Sequence, residues 1–304
     1  MRLCLVSRLS GIAGPASFQR RLAGDLERRG HSVGYGLEDD RVDAILVIGG
    51  SRQLGRLRRA KRRGVPILQR LDGMNWIHRR RRTGLRHYLR AEGNNLLLRW
   101  LRAHLADTVV YQSDFVRRWW ESSGGVAPGR SLVIRNGVPL DEFTPEGERD
   151  ADRSGIRLLV LEGAIGGGYE IGLTWAARLA DGLAPRGGVE LVVAGESRNR
   201  AVRLPSTPEV KVRWLGALPP ASVPRQLRSA DLLFSADVNP ACPNSVIEAM
   251  ACGLPVAAFD TGAIREIVDE ASGAVVAYGG DPWRLQPPDL AALTAGAQAV
   301  LDGG

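Results

Sequence analysis

Short apolar runs alternate with longer stretches of helical spacing along the chain. The run Arg2–Ser7 is followed by a loop rich in Gly, Ala and Pro at Gly11–Pro15 and by a helical stretch at Ser17–Arg29. Further strand-like runs, separated by arginine-rich helical stretches, lie at His31–Tyr35, Asp43–Ile48, Pro66–Leu71, Asp107–Gln112 and Leu132–Arg135. Strands that alternate with helices predict parallel pairing in a doubly wound sheet.

The stretch Pro139–Ser154 (PLDEFTPEGERDADRS) interrupts this rhythm, because it has almost no periodic apolar content. The alternation then resumes with a helix at about Tyr169–Leu183. The strand-like runs of this second half are Ile156–Leu161, Val189–Ala194, Val210–Leu215, Asp231–Ser235, Pro255–Phe259 and Gly273–Val276. The pattern predicts an α/β protein with two Rossmann-like doubly wound domains, 1–138 and 155–304, joined by a linker at 139–154. We expect a ligand cleft between them.

The length of the chain agrees with two domains, and the two halves differ in the sign of their net charge. The 304 residues are about twice the usual single-domain length. Residues 1–140 carry 27 Lys and Arg against 11 Asp and Glu, whereas residues 141–304 carry 14 against 22. This asymmetry suggests that the two halves have different partners.

Several classes of protein are disfavoured by the sequence. No apolar run approaches a membrane span, and the run at the N-terminus is too short for a signal peptide, so we expect a cytoplasmic protein. Cys4, Cys242 and Cys252 have neither disulfide nor metal-site spacing. No His/Cys cluster or carboxylate pair suggests a metal, so no metal or other cofactor is expected.

The segment Asn239–Val268 has the strongest local signals. Its pattern predicts a loop, a short helix capped by Asn244 or Ser245, a strand, a turn and a helix. Ser245 and Glu248 have the spacing of a capping box, in which the glutamate turns back to the serine amide. A helix N-terminus also suits a diphosphate, with Glu248 then free to accept from ribose hydroxyls. The sequence leaves both interpretations open.

The residues SVIEAMACGLPVAAFDTGAIREIV in this segment resemble the donor-site signature of retaining GT-B glycosyltransferases of family 4. Weaker matches follow the family's order along the chain. They are GPASFQRRLAGDLERRGHSV, VIRNGVPLDEFTP, VRWLGALP and ADLLFSA. The resemblance implies transfer of a sugar, with retention and without metal, from a nucleotide-sugar co-substrate.

The resemblance also implies roles for individual residues. Glu248 matches the glutamate that binds the donor ribose, and Asn244, Ser245 and Val246 lie where the diphosphate is held. The base would be lined by Leu215, Gly216 and Ala217. Gly11 and Gly14 match a loop that approaches the donor phosphate or the acceptor.

Two departures from the family's pattern concern the donor site. The family has a second glutamate eight positions before Glu248, and in this chain Pro240 stands there. The nearest polar residues are Asp237, Asn239 and Asn244. Of these we expect Asn239 to make the catalytic contact. The family's diphosphate-binding Arg and Lys are also missing: Ala164 stands near the first position, and Tyr169 or Glu170 near the second. Substitute cations could come from Arg198, Arg200 or Arg265.

Three consecutive glycines, Gly166, Gly167 and Gly168, occupy the same region. Glycines let backbone amides approach a phosphate closely, so these amides would replace the missing cations. The alternative is a simple flexible turn.

Asp72 follows the predicted strand Pro66–Leu71, and the family carries a sugar-contacting histidine near this point. We therefore expect Asp72 to contact the acceptor or donor sugar, with a turn-forming Asp-Gly pair as the alternative. The diphosphate leaving group would help to remove the acceptor proton, so catalysis is mostly positioning and charge stabilisation.

The basic half concentrates arginine in Ser51–Arg63 and His78–Arg90, with tryptophans nearby. This composition suits a peripheral contact with an anionic membrane or a lipid-linked acceptor, and it suits an anionic polysaccharide equally well. The alternative is an arginine-rich face that contacts only solvent. Nucleic acid is unlikely because no reader motif is present. We expect an acceptor that is a glycan, a lipid-linked molecule or a small molecule, in cell-envelope polysaccharide synthesis. Two alternatives remain: a nucleotide-sugar epimerase of the same fold, or a non-catalytic relative that binds a nucleotide sugar or glycan.

Overall fold

The computed structural model describes residues 1–6, 8–11, 14–38, 41–150, 155–197, 204 and 207–303. The chain divides into two compact units, Met1–Asn136 and Gly137–Gly304. Among the described helices, none is both long and apolar enough to cross a membrane.

Unit 1 is built on a six-stranded parallel sheet in the order β2-β1-β3-β4-β5-β6. Its strands are β1 (Arg2–Val6), β2 (Ser32–Gly34), β3 (Ala44–Ile48), β4 (Ile67–Leu71), β5 (Thr108–Tyr111) and β6 (Arg130–Val133). Its helices are α1 (Gly14–Arg28), α2 (Leu54–Arg62), α3 (Leu85–His104) and α4 (Asp114–Gly124), with a 3₁₀ turn at Ile77–Arg79. The strand order reverses between β1 and β3, where such folds bind ligands.

Unit 2 has a second six-stranded parallel sheet, in the order β12-β11-β10-β7-β8-β9. Its strands are β7 (Ile156–Ile165), β8 (Val189–Ser197), β9 (Val210–Gly216), β10 (Leu232–Phe234), β11 (Val256–Phe259) and β12 (Gly273–Val276). Its helices are α5 (Ile171–Leu183), α6 (Val223–Arg228), α7 (Asn244–Ala251) and α8 (Leu290–Gly303). This is the dinucleotide-fold order, and its reversal lies between β7 and β10. The expectation of two Rossmann-like doubly wound domains is confirmed.

The apolar residues of α2 lie in the core of unit 1. Leu57 has no exposed surface and Ala60 is 3% exposed, and both pack with residues of β1, β3 and β4 such as Val6, Ile45 and Ile67. Strands covered by helices in this way carry near-continuous apolar runs, which is why the sequence pattern located them.

The division between the units falls at Asn136 and Gly137, two residues before the predicted boundary. Most of the predicted linker packs on unit 2. Phe143 is 3% exposed within the core cluster of that unit, and the Asp150 carboxylate accepts hydrogen bonds from Arg157 and Arg225. Residues 151–154 of the predicted linker lie outside the described residues. Low apolar periodicity therefore marked a segment that is irregular but anchored.

The contact between α5 and β10 depends on one glycine. A Cβ atom added to Gly172 would lie 2.0 Å from the Ala236 carbonyl oxygen, which is backbone and cannot move aside. The first turn of α5 can therefore approach the end of β10 only because residue 172 has no side chain.

We expect Gly172→Ala to lower the free energy of unfolding by about 1–3 kcal/mol, because the added methyl group forces the helix away from β10. Denaturant unfolding followed by circular dichroism measures this. Gly24→Ala is the matched control, because Gly24 lies in α1 with nothing within 4 Å of an added Cβ. There we expect an unchanged or slightly raised stability, since alanine favours the helix. Equal losses in both variants would contradict the proposed contact.

Candidate functional site

A pocket of about 160 Å³ lies at the carboxyl ends of β7 and β10, where the strand order of unit 2 reverses. It is lined by Glu162, Ala164, Ile165, Tyr169, Leu173, Ala236 and Asp237. In open parallel sheets this crevice is the usual ligand site.

Two carboxyl groups, those of Glu162 and Asp237, dominate the chemistry of this pocket. Burial raises the pKa of both, and the neighbouring Asp237 raises the pKa of Glu162 further. The Asp237 Oδ1 atom is buried and has no hydrogen-bond partner within the described residues. A carboxyl that is desolvated and repelled by a second carboxyl retains its proton to a higher pH than a carboxyl in water.

The sequence singled out Asp237 as a polar neighbour of Pro240 but gave no sign of Glu162. Glu162 belongs to β7 and Asp237 follows β10, so 75 positions of chain separate them. The pairing of Leu158 and Leu159 with Leu232 and Leu233 brings the two strand ends together. Only the strand order of the sheet, which the sequence does not specify, reveals this pair.

The glycine loop leads from β7 into α5. Gly166, Gly167 and Gly168 have φ values of 155°, 68° and 107°, which residues with side chains rarely adopt. The Gly168 amide donates to a Glu170 carboxylate oxygen at 2.8 Å. This amide is therefore already satisfied by an anion, as one expects of a loop whose amides point to a negative group.

Helix α7 begins at Asn244, and Pro243 occupies its N-cap position without a side-chain hydrogen bond. Asn244 and Ser245 both lie inside the first turn, so the prediction that one of them caps the helix is wrong. A capping box between Ser245 and Glu248 is excluded for the same reason, because it requires Ser245 at the N-cap. Glu248 is 8% exposed in the middle of the helix. The N-terminal amides near Ser245 and Val246 lack a capping side chain from Pro243, as suits an anion ligand.

Asn239 lies between β10 and α7 in a left-handed conformation, with a φ of 56°. Asparagine tolerates this region better than most residues. Its backbone amide donates to Thr261 Oγ1 at 3.3 Å, whereas its side-chain Nδ2 atom is buried without a partner among the described residues. Asn239 as a whole is 5% exposed, so its Nδ2 atom is a buried donor.

Pro240 is held by the turn that follows β11. The Ala263 amide donates to the Pro240 carbonyl at 2.9 Å, and a Cβ atom on Gly262 would meet that oxygen at 2.4 Å. The position at which the resemblance implied a glutamate is thus fixed by backbone contacts.

The predicted base-lining residues lie at the end of β9, which is separated from β7 by β8. Leu215 is partly buried against the core, Gly216 has a φ of 66°, and Ala217 is exposed. Arg265, one candidate cation, donates to the Asp260 carboxylate and the Val275 carbonyl. The other two candidates, Arg198 and Arg200, lie outside the described residues.

Asp72 and the Gly11 loop belong to unit 1. Asp72 follows β4; burial raises the pKa of its carboxyl, which the Arg70 guanidinium lowers in part. A Cβ atom added to Gly73 would lie 2.5 Å from the Trp119 ring, so a larger residue at this position would clash with the ring. The Asp-Gly pair therefore also has a packing role.

Gly11 has a φ of 94°, and its carbonyl accepts from Arg20 at 2.8 Å. Gly14 is the first residue of α1 and not part of a loop, because the helix begins earlier than the pattern predicted. Residues 12 and 13 between them lie outside the described residues.

Residues 158–294 match the model of the family described as "Glycosyl transferases group 1". The chain is 33% identical over 197 residues to a D-inositol 3-phosphate glycosyltransferase of Geodermatophilus obscurus, a match that covers 58% of this chain. The match spans 43% of that relative's length, less than half of it.

Solved structures give the same fold. The sucrose-phosphate synthase of Thermosynechococcus elongatus aligns with a TM-score of 0.70 and 14% identity, over 99% of this chain and 90% of that one. Anabaena HepE in complex with UDP-glucose aligns with a TM-score of 0.65 and 15% identity, over 100% and 95% of the two chains. These likenesses show the GT-B fold of two Rossmann-like domains.

Proposed function

We propose that this chain, whose second unit is a Glycosyl transferases group 1 domain within a GT-B fold, transfers a sugar from a nucleoside-diphosphate sugar to an acceptor hydroxyl. The observation that carries the proposal is the pocket between the ends of β7 and β10, which lies inside the stretch matched by the family model. A structural neighbour of this fold was solved with UDP-glucose, which supports a nucleotide sugar as the donor.

The donor diphosphate is placed at the N-terminus of α7 and beside the glycine loop. Amides at a helix N-terminus and the positive end of its dipole stabilise negative charge without a metal. Displacement of the Glu170 carboxylate from the Gly168 amide would open one more donor to phosphate. Glu248, buried one turn further along α7, accepts from the ribose hydroxyls.

In this proposal the donor sugar occupies the pocket, where the Glu162 and Asp237 carboxyls accept from its hydroxyls. Asn239, two residues after Asp237, offers its buried Nδ2 atom as a donor to the same sugar. These groups take over the contact that Pro240 cannot make. A carboxyl that keeps its proton can donate as well as accept, which suits a polyhydroxylated ligand.

Transfer proceeds with retention and without metal in this proposal. The departing diphosphate, stabilised by the α7 amides, accepts the proton of the acceptor hydroxyl on the same face of the sugar. Asp72, with its raised pKa, is proposed to orient the acceptor. The acceptor is a glycan, a lipid-linked molecule or a small molecule, and the reaction is placed on the cytoplasmic side of the cell envelope.

A panel of UDP- and GDP-sugars tests the activity class. Because hydrolysis without an acceptor is the slow side reaction of a transferase, we expect release of nucleoside diphosphate from at least one donor, measured by chromatography. Interconversion of sugars without release would indicate the epimerase alternative. Binding without either reaction would indicate a non-catalytic relative.

A further inference from the structure

The solvent-facing side of α3 carries an apolar stripe. Leu85, Leu89 and Leu96 are 74%, 62% and 64% exposed, and Trp100, which is half-buried against the core of unit 1, continues the same line. Their spacing of four, seven and four residues places all four on one side of an α-helix. We call these four residues the α3 stripe.

The opposite side of the same helix already faces the core. Ala91, Asn95, Leu98 and Arg102 are buried there. The three exposed leucines of the α3 stripe are therefore additional to what the fold of unit 1 needs, whereas Trp100 also packs against its core. Exposed leucines in line on one side of a helix mark a surface that binds something apolar.

Arginines surround the first half of the α3 stripe. Arg82, Arg86 and Arg90 are exposed, and within the described ranges none of them forms an ion pair. The one nearby acidic residue of α3, Glu92, is held by Arg79 and His78, and these contacts lower its pKa to about 2. The edge of the stripe thus presents uncompensated positive charge.

The far end of the α3 stripe enters a basic aromatic pocket of about 430 Å³. The Arg58 guanidinium lies 4.6 Å from the centre of the Trp100 ring, and the His104 ring stacks on that tryptophan at 5.1 Å. Lys61 and Arg62 line the same pocket. Tryptophan beside cationic groups is typical of proteins at the boundary between acyl chains and headgroups.

The helix α2 does not offer an equivalent surface. The arginine-rich stretch Ser51–Arg63, which contains α2, has Leu54 and Leu57 on one side of the helix, where a basic amphipathic helix would offer them to a membrane. Both leucines pack in the core of unit 1 instead, and Leu57 has no exposed surface. The exposed residues of α2 are Gly55, Arg56, Arg58, Arg59 and Arg62.

The position of α3 connects the stripe with the ligand edge of unit 1. The helix follows the loop that leaves the carboxyl end of β4, and it returns the chain to the start of β5. Its first turns, with Leu85 and Leu89, are therefore next in the chain to the edge that carries Asp72.

We propose that the α3 stripe is a lipid-docking surface that lies flat in the headgroup region of a membrane rich in anionic lipid. Its leucines enter the acyl boundary while Arg82, Arg86 and Arg90 contact lipid phosphates, which is the arrangement of an interfacial amphipathic helix. A second copy of the chain fits less well, because a symmetric contact would bring the same arginines together. This surface is independent of the transfer chemistry.

Co-sedimentation of the full chain with vesicles tests the proposal. We expect at least tenfold tighter binding to vesicles of phosphatidylcholine and phosphatidylglycerol than to phosphatidylcholine alone. Two triple variants should each lose at least tenfold of this binding: Leu85→Ser, Leu89→Ser, Leu96→Ser, and Arg82→Gln, Arg86→Gln, Arg90→Gln. Because all six side chains are exposed, the unfolding midpoints of both variants should stay at the wild-type value.

Matched controls distinguish binding through the α3 stripe from nonspecific binding of exposed apolar or basic residues to vesicles. Val126, Ile134 and Leu140 are exposed apolar residues elsewhere, at 74%, 55% and 69%. Their replacement by serine should leave vesicle binding unchanged, as should removal of equal charge by Arg52→Gln, Arg59→Gln and Arg130→Gln. The proposal would be overturned if a control set lost as much vesicle binding as the α3 variants, if the leucine variant bound vesicles as the wild type does, or if the wild type did not bind them. So would a wild-type dimer in sedimentation velocity that the leucine variant converts to monomer, which would assign the surface to a second copy.

Donor hydrolysis without vesicles should be the same in wild type and in both α3 variants, because the stripe lies on unit 1 and the donor pocket on unit 2. If the wild type bound vesicles as predicted but hydrolysed no donor, the result would count against the proposed activity and not against the docking surface.

Discussion

Replacing Glu248 by Gln should weaken binding of the donor nucleotide by about 10- to 100-fold, because a hydrogen bond to a charged group contributes about 1.5–3 kcal/mol. The side chain is buried, and Gln has the same shape, so unit 2 should remain folded. Calorimetric titration with the donor identified in the panel measures the affinity. Glu248→Ala should lose as much affinity or more, and also some stability from the space left behind.

The exposed Glu270 provides the control for this substitution. Glu270→Ala should bind the donor as the wild type does. If Glu248→Gln kept wild-type affinity but lost stability, Glu248 would be a structural residue of α7 and the ribose assignment would be wrong.

Replacing Asp237 by Asn should make the protein more stable above neutral pH and less active. Both pocket carboxyls have a raised pKa in the folded chain, whereas they titrate near pH 4 when unfolded. The folded state therefore binds more protons than the unfolded state above about pH 4, and stability falls as the pH rises through neutrality. Asparagine removes the buried Asp237 charge and its repulsion of Glu162, and with them part of this fall.

The expected gain at pH 8 to 9 is about 1–2 kcal/mol in the free energy of unfolding, and it should shrink toward pH 5. At the same time kcat/KM for donor hydrolysis should drop at least tenfold, because a sugar contact is lost. A buried group that costs stability yet supports turnover is characteristic of a functional site. The exposed Asp181 of α5 is the control, and Asp181→Asn should change neither quantity. A variant that gained stability with undiminished turnover would remove the carboxyl pair from the donor site.

Local sequence patterns predicted much of this molecule. Two sets of alternating strands and helices were predictable because strands covered by helices on both sides are apolar throughout, as in Ala44–Ile48 and Val256–Phe259. Gly166–Gly168 was also predictable as a loop from the local sequence, because three consecutive glycines disfavour both helix and strand.

Features that depend on strand order were not predictable in the same way. Glu162 and Asp237 become neighbours only when β10 pairs with β7, and Gly172 acquires its importance from the same pairing. The side of a helix that faces the core is likewise a property of the packed unit. The leucines of α2 are core residues, whereas three leucines of α3 face solvent, although both helices have apolar residues at helical spacing.

Hydrogen–deuterium exchange of the full chain, with and without the donor that the panel identifies, tests the central claim most directly. We predict slower amide exchange on donor binding in two segments, Ala164–Gly172 and Asn239–Glu248, because the nucleotide sugar would cover the ends of β7 and β10 and the start of α7. The donor-bound chain should show this protection in wild type and lose it in Glu248→Gln at the same donor concentration. Donor binding that protects neither segment, or that protects only unit 1, would contradict a nucleotide-sugar site in this pocket.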